Sequence, residues 1–399
     1  MLEKSSDKNK RTIKDILPAT FFLMKFCGLW QPFKLNYPIL RIVYIFYSVF
    51  TMFTMISVGL SLICFIIISS ERIKDAIIEN SFLLFTLLNG WVKAFIFLSR
   101  HRGIKSLLKT LLEDHCQPQD TTELEMQKKF DDEAKKITVI YSSMIAFGVT
   151  SMYLSILIND ERAQALNTWR PYEINLKLYF WITWIHEFIG HFVTSSVHIV
   201  GDTMVPGFII QLCCQLNFLQ HRLNDFPYKV ENIRKTSNSS IIKQKLESSF
   251  ISKTVVHHNT IFRFAEKITN LFVEILFAQF VSSLIAICVT VYKISKEPLN
   301  YENSLSLFPF VICMLTQLLL YCFYGNELMF SSSDLQEAIF ESNWLFLGKE
   351  TRKSLIIMMI RCKKPILISI CSVAFVNLNS FASILKASYS AYNVLQHSV

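Results

Sequence analysis

Charged residues are scarce in this sequence. Only 18% of its 399 residues are Asp, Glu, Lys or Arg, whereas a soluble domain carries about a quarter. Glycine and proline are also few, at 10 each, which excludes a collagen-like fibre and a low-complexity disordered chain. The sequence has no C-x-x-C pair, no Gly-rich phosphate loop and no G-x-S-x-G motif, so nothing in it indicates an enzyme.

Apolar residues make up 52% of the chain, and 34 of them are phenylalanine. A helix needs about 20 mainly apolar residues to cross a bilayer. Seven stretches meet this need, each with at most one acidic or basic residue: 42–70, 80–99, 137–158, 178–201, 268–292, 303–326 and 365–385. We therefore predict an all-α membrane protein with seven transmembrane helices and no cofactor.

Lysine and arginine are distributed unevenly between the two ends of these spans. Of the 40, 29 lie in residues 1–38, 99–136, 214–265 and 327–364, and 7 lie in the connections on the opposite side. Because lysine and arginine accumulate in cytoplasmic loops, we expect a cytoplasmic N-terminus and an extracellular C-terminus. A G-protein-coupled receptor has seven spans in the reverse orientation.

The chain divides into three predicted parts. Residues 1–326 hold six spans and their cytoplasmic loops, 327–364 form cytoplasmic helices, and 365–399 form the last span. An amphipathic run around Leu107 follows the second span and either lies on lipid or packs on neighbouring spans. The Ser-rich patch at 237–240 is the best candidate for a mobile linker.

Charges inside spans are costly and therefore informative. We expect Lys93 to extend its amine toward the cytoplasmic interface and Asp202 to pair or cap nearby. Glu274 and Lys386 lie deeper and are candidates for a pair.

A histidine pair in the fourth span resembles a zinc motif but has the wrong spacing. His186 and His191 are five residues apart, whereas zinc ligands on one helix face are four apart. We therefore expect no metal site.

The last span carries small and weakly polar residues on one face: Ser380, Ser383, Ala387, Ser390, Ala391 and Val394. Such a face indicates either close helix packing or a pore lining, in which hydroxyl groups solvate ions and an apolar ring closes the path by dewetting. The pore interpretation requires several subunits around one axis.

Several motifs together resemble the insect odorant receptors. They are Trp169-Arg170-Pro171-Tyr172, Gly201-Asp202, Tyr321-Cys322-Phe323-Tyr324-Gly325-Asn326-Glu327, Ser342-Asn343-Trp344, Arg361-Cys362-Lys363-Lys364-Pro365 and the ending from Ser380 to Tyr392.

This resemblance implies an odorant-gated, nonselective cation channel: a tuning subunit in a heterotetramer with the olfactory co-receptor (Orco), in the plasma membrane of olfactory neuron dendrites. Its partners would be a small volatile odorant and membrane lipid, with no nucleic acid. Carried over to this chain, Val394 resembles the hydrophobic gate, with Ala391, Ser390 and Ala387 below it on the pore face and Gln396 at the outer mouth.

The resemblance also implies an odorant pocket between the second, third, fourth and sixth spans. Depth along these spans predicts Phe82, Phe85, Thr86, Asn89, Phe147, Ser151, Leu154, Trp184, Phe188, His191, Phe308 and Ile312 as its lining.

Three alternatives remain open at this point. A gustatory receptor-like channel shares the topology but differs from this chain at Ala391-Tyr392 and Gln396-His397. A G-protein-coupled receptor predicts an exposed N-terminus. A secondary transporter predicts internal repeats and broken helices, and none is visible.

The predicted orientation can be tested with epitope tags at the two termini. In cells co-expressing the co-receptor, we expect an antibody to reach the C-terminal tag on intact cells and the N-terminal tag only after permeabilisation. An N-terminal tag stained on intact cells would contradict the charge argument.

Overall fold

A computed structural model of the chain describes residues 11–31, 37–68, 73–158, 168–172, 177–236, 240–296, 301–371 and 374–397. These residues are nearly all helical. The helices are α1 Pro18–Phe26, α2 Pro38–Ile68, α3 Ile73–Ser99, α4 His101–Thr110, α5 Thr121–Ile158, α6 Lys177–Thr236, α7 Ser240–Lys296, α8 Tyr301–Glu341, α9 Lys349–Cys362 and α10 Leu378–His397. Two short strands, β1 Ser369–Ile370 and β2 Ala374–Phe375, precede α10.

Five of the described helices are long and apolar enough to cross a membrane: α2, α5, α6, α7 and α8. Residues Leu83–Ser99 of α3 and helix α4 meet at 65° and add a sixth span if they count as one. Helix α10 has 20 residues and a more polar sequence, and it occupies the place of the seventh predicted span. The all-helical multi-pass fold is confirmed.

Helices α6 and α7 contain 60 and 57 residues. At about 1.5 Å per residue each is some 85–90 Å long, nearly three times the ~30 Å thickness of the hydrocarbon. The segment 214–265, predicted as a cytoplasmic loop, is therefore mostly the extended ends of these two helices. The predicted linker at 237–240 falls almost entirely outside the described residues.

Helix α6 is the centre of the bundle and contacts α1, α2, α3, α5, α7 and α8. Apolar side chains are buried on all sides of it, and Val200, Met204 and Phe208 have no exposed surface. A helix that is apolar all round belongs in the interior, so the other helices are arranged around α6.

The amphipathic run after the second span forms α4. Ile104, Leu107 and Leu108 on α4 are buried, and the helix lies against α7. Of the two interpretations of this run, packing on a neighbouring helix is the one that the structure bears out.

The last helix begins later than predicted. We expected helix from 365, but β1 and β2 pair in antiparallel fashion, with Ile370 opposite Ala374. Ile366, Ile368 and Ile370 are buried while the residues between them are less so, which is the period-two pattern of a strand. Helix α10 starts where the Asn377 side chain accepts a hydrogen bond from the Ser380 backbone N–H at 2.9 Å, as an N-cap does. The helix is also not interrupted at the predicted boundary after residue 326, because α8 continues to Glu341.

Gly325 lets α8 lie directly against the strap, the non-helical connection between α9 and α10 that carries this hairpin. A Cβ atom at position 325 would lie 2.0 Å from the carbonyl oxygen of Val376. Because the obstacle is backbone, it cannot rotate away. By contrast, a Cβ atom at Gly148 on α5 would meet nothing within 4 Å.

We expect Gly325→Ala to destabilise the chain by about 1–3 kcal/mol through overpacking. The measurement is the thermal melting midpoint of the detergent-purified protein. Gly148→Ala is the matched control and should melt close to the parent protein. Equal melting of both variants would contradict the close approach at Gly325.

Candidate ligand-binding site and pore helix

A buried ion pair lies at the centre of the bundle. The Lys93 Nζ on α3 lies 2.6 Å from the Asp202 Oδ1 on α6, and neither side chain is exposed. Tyr141 and Tyr321 donate their hydroxyl hydrogens to Asp202, each at 3.0 Å. His198 Nδ1 lies 3.2 Å from Lys93 Nζ. The expected pairing of Asp202 is confirmed, but the prediction that Lys93 reaches the interface is wrong, because its partner is inside the bundle.

This ion pair continues into a chain of amide and hydroxyl groups. Tyr141 Oη also lies 3.4 Å from Gln317 Oε1, and the Gln317 amide donates to Ser283 at 3.4 Å. Ser283 receives a second bond from Gln279 at 2.9 Å, and Gln279 accepts one from Asn89 at 2.8 Å. One polar network therefore connects α3, α5, α6, α7 and α8.

An aromatic cluster lies on the α6 stripe, the face of α6 that also carries His198 and Asp202, and is nearer to the start of the helix. Tyr153 of α5 faces Trp184, Phe188 and His191 with ring centroids 5.8, 5.3 and 5.8 Å away. Trp184 and Phe188 are stacked at 5.4 Å. Three of these four residues were predicted as pocket lining, and their spacing of four and three places them on one helix face. Tyr153 was missed, although it lies two residues from the predicted Ser151.

Polar atoms in this cluster lack partners. Within the part of the chain that the structure describes, the buried Tyr153 hydroxyl, Trp184 Nε1 and His191 Nδ1 make no hydrogen bond, and neither does Asn89 Oδ1 in the network. Buried polar atoms are nearly always satisfied in native proteins. The atoms left over are therefore candidates for a bond to a group outside the described residues.

The α6 stripe connects the cluster with the ion pair. His191, His198 and Asp202 are separated by seven and four residues and so share a face. Opposite them on α3, the Thr86 carbonyl oxygen lies 2.9 Å from His198 Nε2, one turn before Asn89. The cluster, where α5 packs on α6, and the network therefore lie along one face of α6. The α3–α6 seam is the part of this face that α3 contacts, at His198 and Asp202.

The other predicted pocket residues divide into three groups. Phe85 and Thr86 are half-buried in α3, and Ser151 is half-buried with its hydroxyl bonded to its own helix at Gly148. Phe147, Leu154 and Ile312 are 72%, 55% and 54% exposed on the outer surface of the bundle, so they do not line its interior. The side chains of Phe82 and Phe308 lie outside the described residues.

Residues 168–172, which precede α6, are bound to Glu187 by an ion pair and a hydrogen bond. Arg170 contacts the Glu187 carboxylate at 2.8 Å, and Thr168 donates its hydroxyl hydrogen to it at 2.5 Å. Residues 168–172 thus cover α6 beside the aromatic cluster.

The two histidines of the rejected zinc motif face different helices. His186 Nε2 lies 2.8 Å from Ser57 Oγ on α2, whereas His191 packs on Tyr153 of α5. Their divergence agrees with the five-residue spacing.

Asp120, Glu123 and His221 offer ligand atoms within 4.8 Å of one another. Both carboxylate oxygens of Glu123 are already bound by Arg222, at 2.6 and 2.8 Å. Burial opposes ionisation of Asp120, but hydrogen bonds from the Glu123 backbone N–H and from His221 outweigh it and hold the pKa of Asp120 below its usual value. Since a guanidinium already binds both oxygens of Glu123, these residues attach α5 to α6 and fit a metal ion poorly.

Glu274 and Lys386, considered above as candidates for a pair, do not contact each other. Glu274 lies 2.5 Å from Arg100, which is nearer along the α3–α7 interface. Lys386 is exposed on α10.

Helix α10 presents its small-residue face outward. Ser383, Ala387, Ser390 and Val394 are exposed, and Val394 is 67% exposed. Ala391 at the margin of this face is half-buried, and the Gln396 side chain lies outside the described residues. The opposite side contains Ser388, which is 5% exposed, and the helix contacts α7 and α8. The four exposed residues therefore do not serve packing against the described part of this chain.

Comparison with known proteins agrees with this arrangement. A model of the 7tm odorant receptor family matches residues 74–389. Odorant receptor Or1 of Anopheles gambiae is 21% identical over 63% of this chain and 64% of its own length. Putative odorant receptor 92a of Drosophila melanogaster is 24% identical over 59% of this chain and 55% of its own length. The chain thus spans a little over half to just under two thirds of these two relatives.

The fold is also found in a solved structure. The insect olfactory receptor OR5 from Machilis hrabei, in complex with eugenol, superposes with a TM-score of 0.81 at 16% identity, covering 97% of this chain and 99% of OR5. The OR5 structure described without eugenol gives a TM-score of 0.75 at 15% identity, covering 95% of this chain and 97% of OR5.

The long apolar helices and the family match define a multi-pass membrane receptor, and not an enzyme. The chain belongs to the insect odorant receptor family.

The central ion pair predicts a non-additive mutational pattern. Lys93→Met should destabilise the chain by about 3–5 kcal/mol because it leaves Asp202 buried without its cation. The double variant Lys93→Met/Asp202→Asn should recover part of that loss, since no unpaired charge remains. Thermal melting of the purified protein measures both effects.

Lys353→Met is the control, because Lys353 and Glu350 form an exposed pair of the kind that contributes little. A double variant that melts no higher than Lys93→Met would show that hydrogen bonding to Asp202, rather than charge pairing, holds the centre together.

Proposed function

We propose that this chain is a tuning subunit of an odorant-gated, nonselective cation channel that assembles as a tetramer with the olfactory co-receptor in the plasma membrane of olfactory neuron dendrites. One observation carries the proposal: a helix with a small, weakly polar face that the subunit leaves uncovered. Membership of the odorant receptor family supplies the sensory role.

The exposed face of α10 fits an ion path. Ser383 and Ser390 face away from the other helices of the subunit. Contact with lipid would not stabilise these positions, because lipid accommodates hydroxyl groups poorly. Around a symmetry axis, the same face of several subunits would enclose water. Val394 would then provide an apolar ring that closes the path by dewetting, with Ala391, Ser390 and Ala387 below it and Gln396 toward the mouth.

The ligand site fits a small, mainly apolar molecule. Trp184, Phe188 and His191 from α6 and Tyr153 from α5 offer ring surfaces, and apolar burial drives binding to such sites. Phe85, Thr86, Asn89 and Ser151 are the other predicted residues that we retain. Phe82 and Phe308 keep their predicted role, whereas the exposed Phe147, Leu154 and Ile312 are left out of the proposed site.

The polar network offers a physical route between the two sites. It reaches α7 through Gln279 and Ser283 and α8 through Gln317 and Tyr321, and these are the two helices that α10 contacts. A ligand opens a channel only through its difference in affinity between the closed and open states. A rearrangement of the α3–α6 seam on binding would alter that network and, through α7 and α8, the position of α10.

The pore assignment can be tested with paired cysteine variants. In cells expressing the chain with the co-receptor, odorants should evoke cation currents that persist when G-protein signalling is blocked. A charged thiol reagent applied during the odour should reduce the current of Ser390→Cys, because that position would face the water-filled path.

Ser388→Cys is the matched control on the buried side of the same helix and should be affected no more than the parent chain, whose native cysteines set the background. Equal block of both variants, or block of neither, would contradict the pore-lining role of α10. Loss of the current on blocking G proteins would contradict the channel itself.

A further inference from the structure

The unsatisfied atoms of the aromatic cluster belong to neighbouring rings and are chemically distinct. Tyr153 is 1% exposed, yet its hydroxyl group has no partner among the described residues, and the same holds for Trp184 Nε1 and His191 Nδ1. The Tyr153 ring lies 5.8 Å from each of the other two rings. Three unsatisfied polar atoms therefore belong to one aromatic cluster, in which the Tyr153 ring lies beside the other two rings.

Leaving such atoms unpaired is unfavourable. A buried donor or acceptor without a partner costs about 1–3 kcal/mol, and nearby residues show that this bundle can provide partners. Thr168 and Arg170 satisfy Glu187, one residue before Phe188, and His198 reaches the Thr86 carbonyl. The three atoms of the cluster lack such partners among the described residues, and a bound molecule can remove the cost of leaving them unpaired.

The chemistry of the three atoms specifies what that molecule carries. The indole N–H of Trp184 can only donate, the tyrosine hydroxyl can donate or accept, and a neutral imidazole nitrogen donates or accepts according to its tautomer. An oxygen atom accepts from Trp184 and Tyr153. A hydroxyl group can in addition donate to His191, which a carbonyl group cannot do.

We infer that the ligand of this site is a small molecule with an apolar or aromatic body and a hydroxyl group, or less favourably a carbonyl group, that bonds to Tyr153, Trp184 and His191. This inference rests on the proposed function and narrows its ligand class. A site built around unpaired polar groups discriminates strongly against an analogue without the matching group, because the groups then remain unpaired. Pure hydrocarbons of the same size should bind poorly.

The test uses three probes of nearly equal size: 2-phenylethanol, acetophenone and ethylbenzene. Binding is measured as the rise in melting temperature of the purified complex with the co-receptor, since a ligand that binds only the folded state stabilises it. Channel opening is measured separately as evoked current. We expect 2-phenylethanol to bind most tightly and ethylbenzene least.

Tyr153→Phe keeps the ring and removes only the hydroxyl group. It should weaken 2-phenylethanol by about fivefold, the value of one hydrogen bond, and leave ethylbenzene unchanged. Trp184→Phe removes the other donor and should also lower the preference. Tyr228→Phe is the matched control, because Tyr228 is 56% exposed on a distant part of α6, and it should keep the parent preference.

Each outcome bears on one claim. Equal stabilisation by ethylbenzene and 2-phenylethanol, no stabilisation by any probe, or a preference that survives Tyr153→Phe would overturn the inference. Preferential stabilisation by 2-phenylethanol without any evoked current would support the ligand class and overturn the proposed channel. Evoked currents that show no preference among the three probes would support the proposed channel and overturn the ligand class.

Discussion

A lysine and an aspartate without solvent contact determine how the helices of this receptor can be arranged. Removing two charges from water is expensive, and their attraction repays the cost only when the remaining hydrogen-bonding positions are also filled. Lys93 and Asp202 achieve this with Tyr141, Tyr321 and His198. Each of these residues must arrive at the right height on its helix, so the ion pair fixes the register of α3, α5, α6 and α8 together.

The sequence predicts most of the fold because its apolar runs are long. Bilayer thickness converts such runs into helices with little ambiguity, and the five-residue spacing of His186 and His191 predicts the divergence of their rings, which face α2 and α5. The failures have physical reasons. Lys93 lies within reach of the interface, and only the position of Asp202 on a neighbouring helix shows that it faces inward. Composition made residues 365–377 look like part of a span, although the alternation of Ile366, Ile368 and Ile370 indicated a strand.

The proposed ligand site was half predictable for a similar reason. Helical spacing placed Trp184, Phe188 and His191 on one face, but depth along a span does not say which way a side chain points. Phe147, Leu154 and Ile312 have the right depth and the wrong direction. Tyr153 shows the converse. Its importance depends on the Trp184 and His191 rings of α6 and on its hydroxyl group, which has no partner among the described residues.

The strap between α9 and α10 has a mechanical consequence. Its β-hairpin rests on α7, its end is held against Gly325 of α8, and α10 begins afresh at the Asn377 cap. A continuous helix would transmit any rotation of α10 directly to α9. The non-helical connection, held in place by α7 and α8, does not transmit it. Movement of the last helix can therefore leave α9 undisturbed, and substitutions that tune one of the two helices need not be matched by compensating changes in the other.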